Sequence, residues 1–295
     1  MKKIHAFFAL GLTSISAIAS DFQWSNRFEY FYTDNSDIDF TTEAFSLGTK
    51  YYFTPQSPLG PLAELEYIND NDFLSLSASY SEIDFDLANR ESKNFSVAGE
   101  FIFDKFIIGG SYIRRQVDEE FTSFLTGTRF TYDYTQVDWQ ASLGYFLQEN
   151  WTIAIESIES DSGNDSIILS TEYTHHLTGN DYIGFTASVD EDAESYFLSG
   201  KYFSDLGTET YLAAGFAYSL NTEFDIDRTS LFGDYYFSKY TSVGLTYNIV
   251  QAAENDYGLR MQHFLSDKLS VGLRYFSNFE DEASDTYTLN IEYRI

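Results

Sequence analysis

The sequence predicts an all-β fold, a transmembrane antiparallel up-and-down β-barrel, on three observations. Segments of about ten residues alternate apolar and polar side chains along almost the whole chain, the two-residue period of strands with one dry and one wet face. The apolar members are unusually aromatic, with 28 Phe and 24 Tyr in 295 residues, more ring surface than one protein core takes up. After the first nineteen residues no long uncharged apolar run occurs. A membrane reading therefore requires a closed barrel, because only helices and closed barrels satisfy every backbone group in lipid.

The start of the chain reads as an export signal. Lys2 and Lys3 precede an apolar run from Ala6 to Leu12, and Ala17-Ile18-Ala19 has the small-x-small form of a cleavage site. That run is too short to span a bilayer. The expected organisation is a signal peptide over 1–19 and one barrel domain over 20–295, with no linker or low-complexity tract. Cys is absent, which suits an exported chain without disulfide staples and excludes thiol chemistry and Cys-bound metal. Net charge is −29, and −31 once Lys2 and Lys3 leave with the leader. Such a field repels nucleic acid and attracts cations.

The strands follow in order. The first, 22–33, sets Phe22, Trp24, Phe28, Tyr30 and Tyr32 against Gln23, Ser25, Arg27 and Glu29. The second, 43–53, turns Phe45, Leu47, Tyr51 and Phe53 outward, with Ser46, Gly48 and Lys50 inward. All three prolines lie between Pro55 and Pro61, in a stretch that cannot ladder and forms the longest turn on its side. Further strands are expected over 73–83, 94–103, 106–115 and 137–147, then 151–159, 167–176, 182–190, 196–204, 210–220 and 229–237. The last four, 243–249, 257–265, 269–277 and 287–295, alternate most cleanly. In the final one Tyr287, Leu289, Ile291, Tyr293 and Ile295 share a face. Short turns such as Asp104-Lys105 and Gln148-Glu149-Asn150 fall on one side. Acidic connections fall on the other, among them 34–41, 160–165, 191–194 and the stretch with Glu223, Asp225 and Asp227. The count is about sixteen strands, an even number as bacterial barrels require. Fourteen and eighteen remain open, because 117–134 could itself supply two strands. The first strand can close against the last.

Tyr257-Gly-Leu-Arg, followed by Phe264-Leu-Ser-Asp-Lys-Leu-Ser-Val-Gly-Leu-Arg-Tyr275, together with Tyr51-Tyr-Phe-Thr-Pro55 and Gly60-Pro-Leu-Ala-Glu64, resembles the general bacterial porin family of Gram-negative outer membranes. The resemblance spans essentially the mature chain. It implies a multi-pass outer-membrane channel, a homotrimer, inserted by the barrel-assembly machinery among outer-membrane lipid and lipopolysaccharide, with a third extracellular loop folded into the pore. Such barrels usually end in Phe, whereas this one ends in Ile295.

A passive channel needs a narrow place and charges that select what passes, not a nucleophile. Taken as the third loop, 117–134 offers Asp118, Glu119, Glu120 and Asp133, with Arg129 as a counterweight. Parity puts Arg27, Lys50, Arg260, Arg274 and Arg294 on the lumen face of five strands that become neighbours on closure. The expectation is a transverse field between this basic wall and the acidic loop. The plainer alternative is that the arginines pair with inward acids such as Glu29 and Glu292. Lys201, Phe197 and Tyr211 also point inward, as an aromatic track for sugars or as barrel fillers. Trp24, Trp139 and Trp151 read as interfacial girdles.

No metal or cofactor site is expected. His175 and His176 are adjacent and point to opposite faces, and the acidic loop 161–165 lacks the spacing of a calcium loop. The leading expectation is a non-enzymatic, cation-preferring channel for small hydrophilic solutes and ions. The alternatives are a channel selective for an oligosaccharide or organic anion, and an outer-membrane enzyme or adhesin on a barrel scaffold.

Overall fold

A computed structural model describes residues 21–35, 40–68, 71–85, 87–123, 126–163, 165–222, 226–251, 255–278 and 284–295. The expected leader over 1–19, Glu223 and Asp225 lie outside the described residues. The described strands are β1 (Phe22–Asn35), β2 (Phe40–Gln56), β3 (Phe73–Phe85), β4 (Ala88–Phe103), β5 (Phe106–Thr122), β6 (Arg129–Gln148), β7 (Trp151–Ser160) and β8 (Ser166–His176). They continue as β9 (Tyr182–Asp190), β10 (Ser195–Gly207), β11 (Thr210–Asn221), β12 (Ile226–Ser238), β13 (Thr241–Val250), β14 (Asp256–Ser266), β15 (Leu269–Asn278) and β16 (Asp285–Arg294). Each pairs antiparallel with its sequence neighbours, and β1 closes on β16 from Ser25↔Arg294 to Asp34↔Asp285. Backbone bonds from Gln23 and Trp24 to the Ile295 carbonyl, 2.8 and 2.9 Å, finish the seam. The expected sixteen-strand closed barrel is the one found.

Alternation decides which way each side chain points. Along β13 Val243, Leu245, Tyr247 and Ile249 are exposed on the outside, while Gly244, Thr246 and Asn248 face in. Leu47, Phe103, Trp139, Leu265 and Leu273 continue the outer surface around the cylinder, each more than half exposed. A belt of this kind is stable only against hydrocarbon, and the lumen takes the polar face of every strand.

Two expectations change. Phe22 is not on the outer face; a register irregularity between Phe22 and Trp24 turns its ring inward, where it is 4% exposed and meets Tyr52 edge-on at 5.9 Å. The segment 117–134 is not a loop folded into the pore. β5 and β6 remain paired through Asp118↔Asp133 and Glu120↔Thr131 as far as Thr122↔Arg129. Nothing in 117–122 or 129–134 breaks a ladder, and the glycine of the turn, Gly127, adopts φ +67° where a left-handed residue is needed. Asp118, Glu120, Arg129 and Asp133 share the outward parity of Ile108 and Trp139, and Glu119 alone of the five shares the lumen parity. They pair locally: Glu120 with Arg129, Asp118 with Lys93 at 3.3 Å, and Glu119 with Arg90 at 3.2 Å.

Candidate pore and its constriction

What enters the lumen is the connection between β2 and β3. Pro58 and Pro61 forbid a ladder there, so the segment must satisfy its backbone elsewhere. Leu59 N–H donates to the Glu64 carbonyl at 2.9 Å and Glu64 N–H to the Pro61 carbonyl at 3.0 Å, giving a compact knuckle. Its apolar residues bury against the lumen wall: Leu62 is 1% exposed, and Leu59, Ala63 and Tyr67 pack on Tyr182, Phe203, Ala213 and Tyr236 of β9 to β12. Tyr182 stacks on Phe203, and Phe203 on Tyr211, at 5.6 and 6.0 Å.

Polar ties hold the knuckle. The Glu64 carboxylate, 5% exposed, accepts from Lys201 Nζ at 2.5 Å and from the Tyr236 hydroxyl. Leu62 N–H donates to the Lys239 carbonyl at 2.8 Å, and Arg294 Nη1 donates to the Leu62 carbonyl at 2.5 Å. Tyr67 lies flat on Gly184, where a Cβ would stand 2.6 Å from the ring, and its hydroxyl meets Thr186 Oγ1 at 2.9 Å. The segment thus runs from the β2–β3 side to the opposite wall and narrows the mouth on the short-turn side. Glu64→Ala would strand the Lys201 ammonium; breaking a buried pair costs about 3–5 kcal/mol, part of it relieved as the turn swings out and water enters. The expected outcome in single-channel recordings is higher, noisier conductance and a lower melting temperature, with a smaller change for Glu64→Gln. Traces identical to the parent would show that this carboxylate does not hold the turn.

The five basic residues expected on the wall divide among three surroundings. Arg27, Arg260 and Arg274 line one cavity of about 330 Å3, together with Lys201, Asp234, Asn290 and the knuckle residue Ala63. Arg260 grips Asp234 with two nitrogens across Gly244, and a Cβ at Gly244 would overlap both side chains. Lys50 Nζ sits 3.6 Å from the centre of the Phe73 ring. Arg294 is buried, bound to Glu292 at 2.8 and 3.1 Å between the rings of Phe22 and Phe264. It anchors the knuckle rather than facing open lumen. Lys201 and Tyr211 are likewise taken up by the turn, Tyr211 against Gly60, and Phe197 is 37% exposed.

Acids not singled out in the sequence complete the picture. Glu100 of β4, Glu156 of β7 and Glu172 of β8 take lumen parity. In a ring of sixteen strands β7 stands opposite β15 and β8 opposite β16. The acidic side of any transverse field is therefore carried by the far wall and not by the third loop. Period-two parity could have found all three acids, but that Glu156 and Glu172 stand across from the arginines needs the closed ring.

Comparison with known proteins agrees with this geometry. The sequence profile of the family described as "putative general bacterial porin" matches residues 1–295. No curated protein matches the chain. Among solved structures it is similar to the outer membrane protein Omp33 of Acinetobacter baumannii, at 15% identity and TM-score 0.51, covering 94% of this chain and 100% of that one. It is also similar to OccK7 (OpdD) of Pseudomonas aeruginosa, at 12% identity and TM-score 0.53, covering 93% and 98%. OpdK of the same organism gives 10% identity and TM-score 0.51, covering 94% and 99%. At these identities the likenesses speak for the fold. The family match runs the full length of a barrel with an apolar girdle and a charged lumen, so the chain belongs to the general bacterial porins and forms an outer-membrane porin channel.

Proposed function

We propose that the barrel passes small hydrophilic solutes and ions by passive diffusion, that it prefers cations, and that it is not an enzyme. The observation that carries this reading is the lumen face, where the wall of Arg27, Arg260 and Arg274 stands across from Glu156 and Glu172. Opposed charges orient a dipolar solute and polarise water without chemistry. Cation preference follows from the access field, because the chain carries 46 acidic against 17 basic residues and many acids lie in outer connections such as Asp190 to Glu194. The same reading takes residues 1–19 as a cleaved leader, with insertion by the barrel-assembly machinery and homotrimers seated among lipopolysaccharide.

The test is conductance of detergent-purified, heat-modifiable protein in a planar bilayer, with reversal potentials in a salt gradient. Ohmic, cation-selective current is expected, and a protein that folds without conducting would overturn the reading. Replacing Arg260 and Arg274 together by Gln should move the reversal potential further toward the cation limit. No movement would mean that the wall charges leave the permeating ions unaffected.

A further inference from the structure

The cavity beside the knuckle gathers cations in a chain that is otherwise strongly acidic. Arg27, Arg260, Arg274 and Lys201 line it, against one lining acid, Asp234. Asp234 is occupied by both nitrogens of Arg260, and Glu64 by Lys201 and Tyr236. The nearest acid to Arg27 is Glu29, at 3.8 Å, beyond hydrogen-bond length. Arg274 forms no ion pair within 4 Å among the described residues. Arg274 also stands directly opposite Arg260 in the β14–β15 register. Like charges in that position oppose strand pairing; Asp234 already answers Arg260, and an anion beside Arg274 would remove what remains of the penalty.

We propose that this cavity is a binding site for a short-chain dicarboxylate of about four carbons. The inference rests on the diffusion reading, since the solute reaches the cavity through the lumen. The guanidinium forks of Arg27 and Arg274 each receive one carboxylate, the geometry for which arginine is suited. Asn290, Gln262 and Ser242 supply neutral polar groups, and the face of Phe232 with Ala63 takes the methylenes. A volume of about 330 Å3 lies at the small end of ligand pockets.

The experiment is equilibrium dialysis of radiolabelled succinate against the detergent-solubilised full barrel at low ionic strength, beside bilayer recordings of the same preparation. Expected are saturable binding, competition by unlabelled succinate but only weakly by inorganic phosphate or acetate, and an affinity loss of about tenfold or more for Arg274→Gln and for Arg27→Gln. Arg274→Lys keeps the charge without the fork and should fall between, with heat-modifiable migration checking that each variant is folded. Absence of saturable binding to the parent barrel, phosphate competing as well as succinate, or unchanged affinity in the folded Arg274 variants would each overturn the assignment. A barrel that conducts without binding succinate overturns this inference alone. One that binds succinate but conducts nothing overturns the diffusion reading and leaves the site standing.

Discussion

Replacing residues 57–70 by a tight Asn-Gly turn is expected to raise single-channel conductance severalfold while the protein still runs as a folded, heat-modifiable barrel. A ring of sixteen strands encloses an aqueous channel unless something fills it, and the element that fills its short-turn mouth is the knuckle around Leu62 and Glu64. The β2–β3 ladder from Tyr52↔Phe73 onward needs none of those residues, so the wall should survive. Excision exposes Tyr182, Phe203 and Tyr236 to lumen water, and loses the burial of Leu62, worth about 1.5–3 kcal/mol. Melting should therefore come earlier even as current increases. Conductance equal to the parent's would place the limiting constriction elsewhere in the barrel.

A comparably large effect is expected from neighbouring substitutions on one strand. Leu245→Arg puts a charge on the lipid face midway along β13, at a side chain 62% exposed. Near the bilayer midplane this costs about 2–4 kcal/mol, so folded yield in lipid vesicles should collapse and the denaturation midpoint should drop. Thr246→Arg, one residue on, points into the lumen between Phe232 and Gly258. It should insert normally and move ion selectivity toward anions. Equal damage from both, scored by heat-modifiable migration and urea titration, would contradict the assignment of faces. If Thr246→Arg alone failed to insert, the faces of β13 would be reversed.

Most of the barrel was legible because a strand shows its orientation residue by residue. Parity alone placed Trp24, Phe45 and Tyr287 outside and Arg27, Lys50 and Arg274 inside, and the short turns at Asp104-Lys105 and Gln148-Glu149-Asn150 fixed hairpins that the structure reproduces. Phe22 escaped because the register slips by three residues between Trp24↔Tyr51 and Phe22↔Gln56, and alternation carries no mark of an odd slip. The segment 117–134 escaped because its charges resemble loop composition, while cross-strand pairs such as Glu119 with Arg90 let them continue a ladder. The proline turn was visible as the longest on its side. Its destination was not, because Glu64 is separated from Lys201 by 137 positions and from Tyr236 by 172.

The sequence by itself determined a greasy cylinder with a wet, charged interior, since period-two alternation and an aromatic outer face are local properties that each strand carries alone. Only the tertiary structure decided which segment narrows the channel and which arginines share a cavity. Those outcomes depend on ring closure, which brings β1, β14 and β15 together, sets β7 across from them, and lets a turn between β2 and β3 reach the wall of β9 to β12. Distances across a lumen have no counterpart in the spacing along a chain.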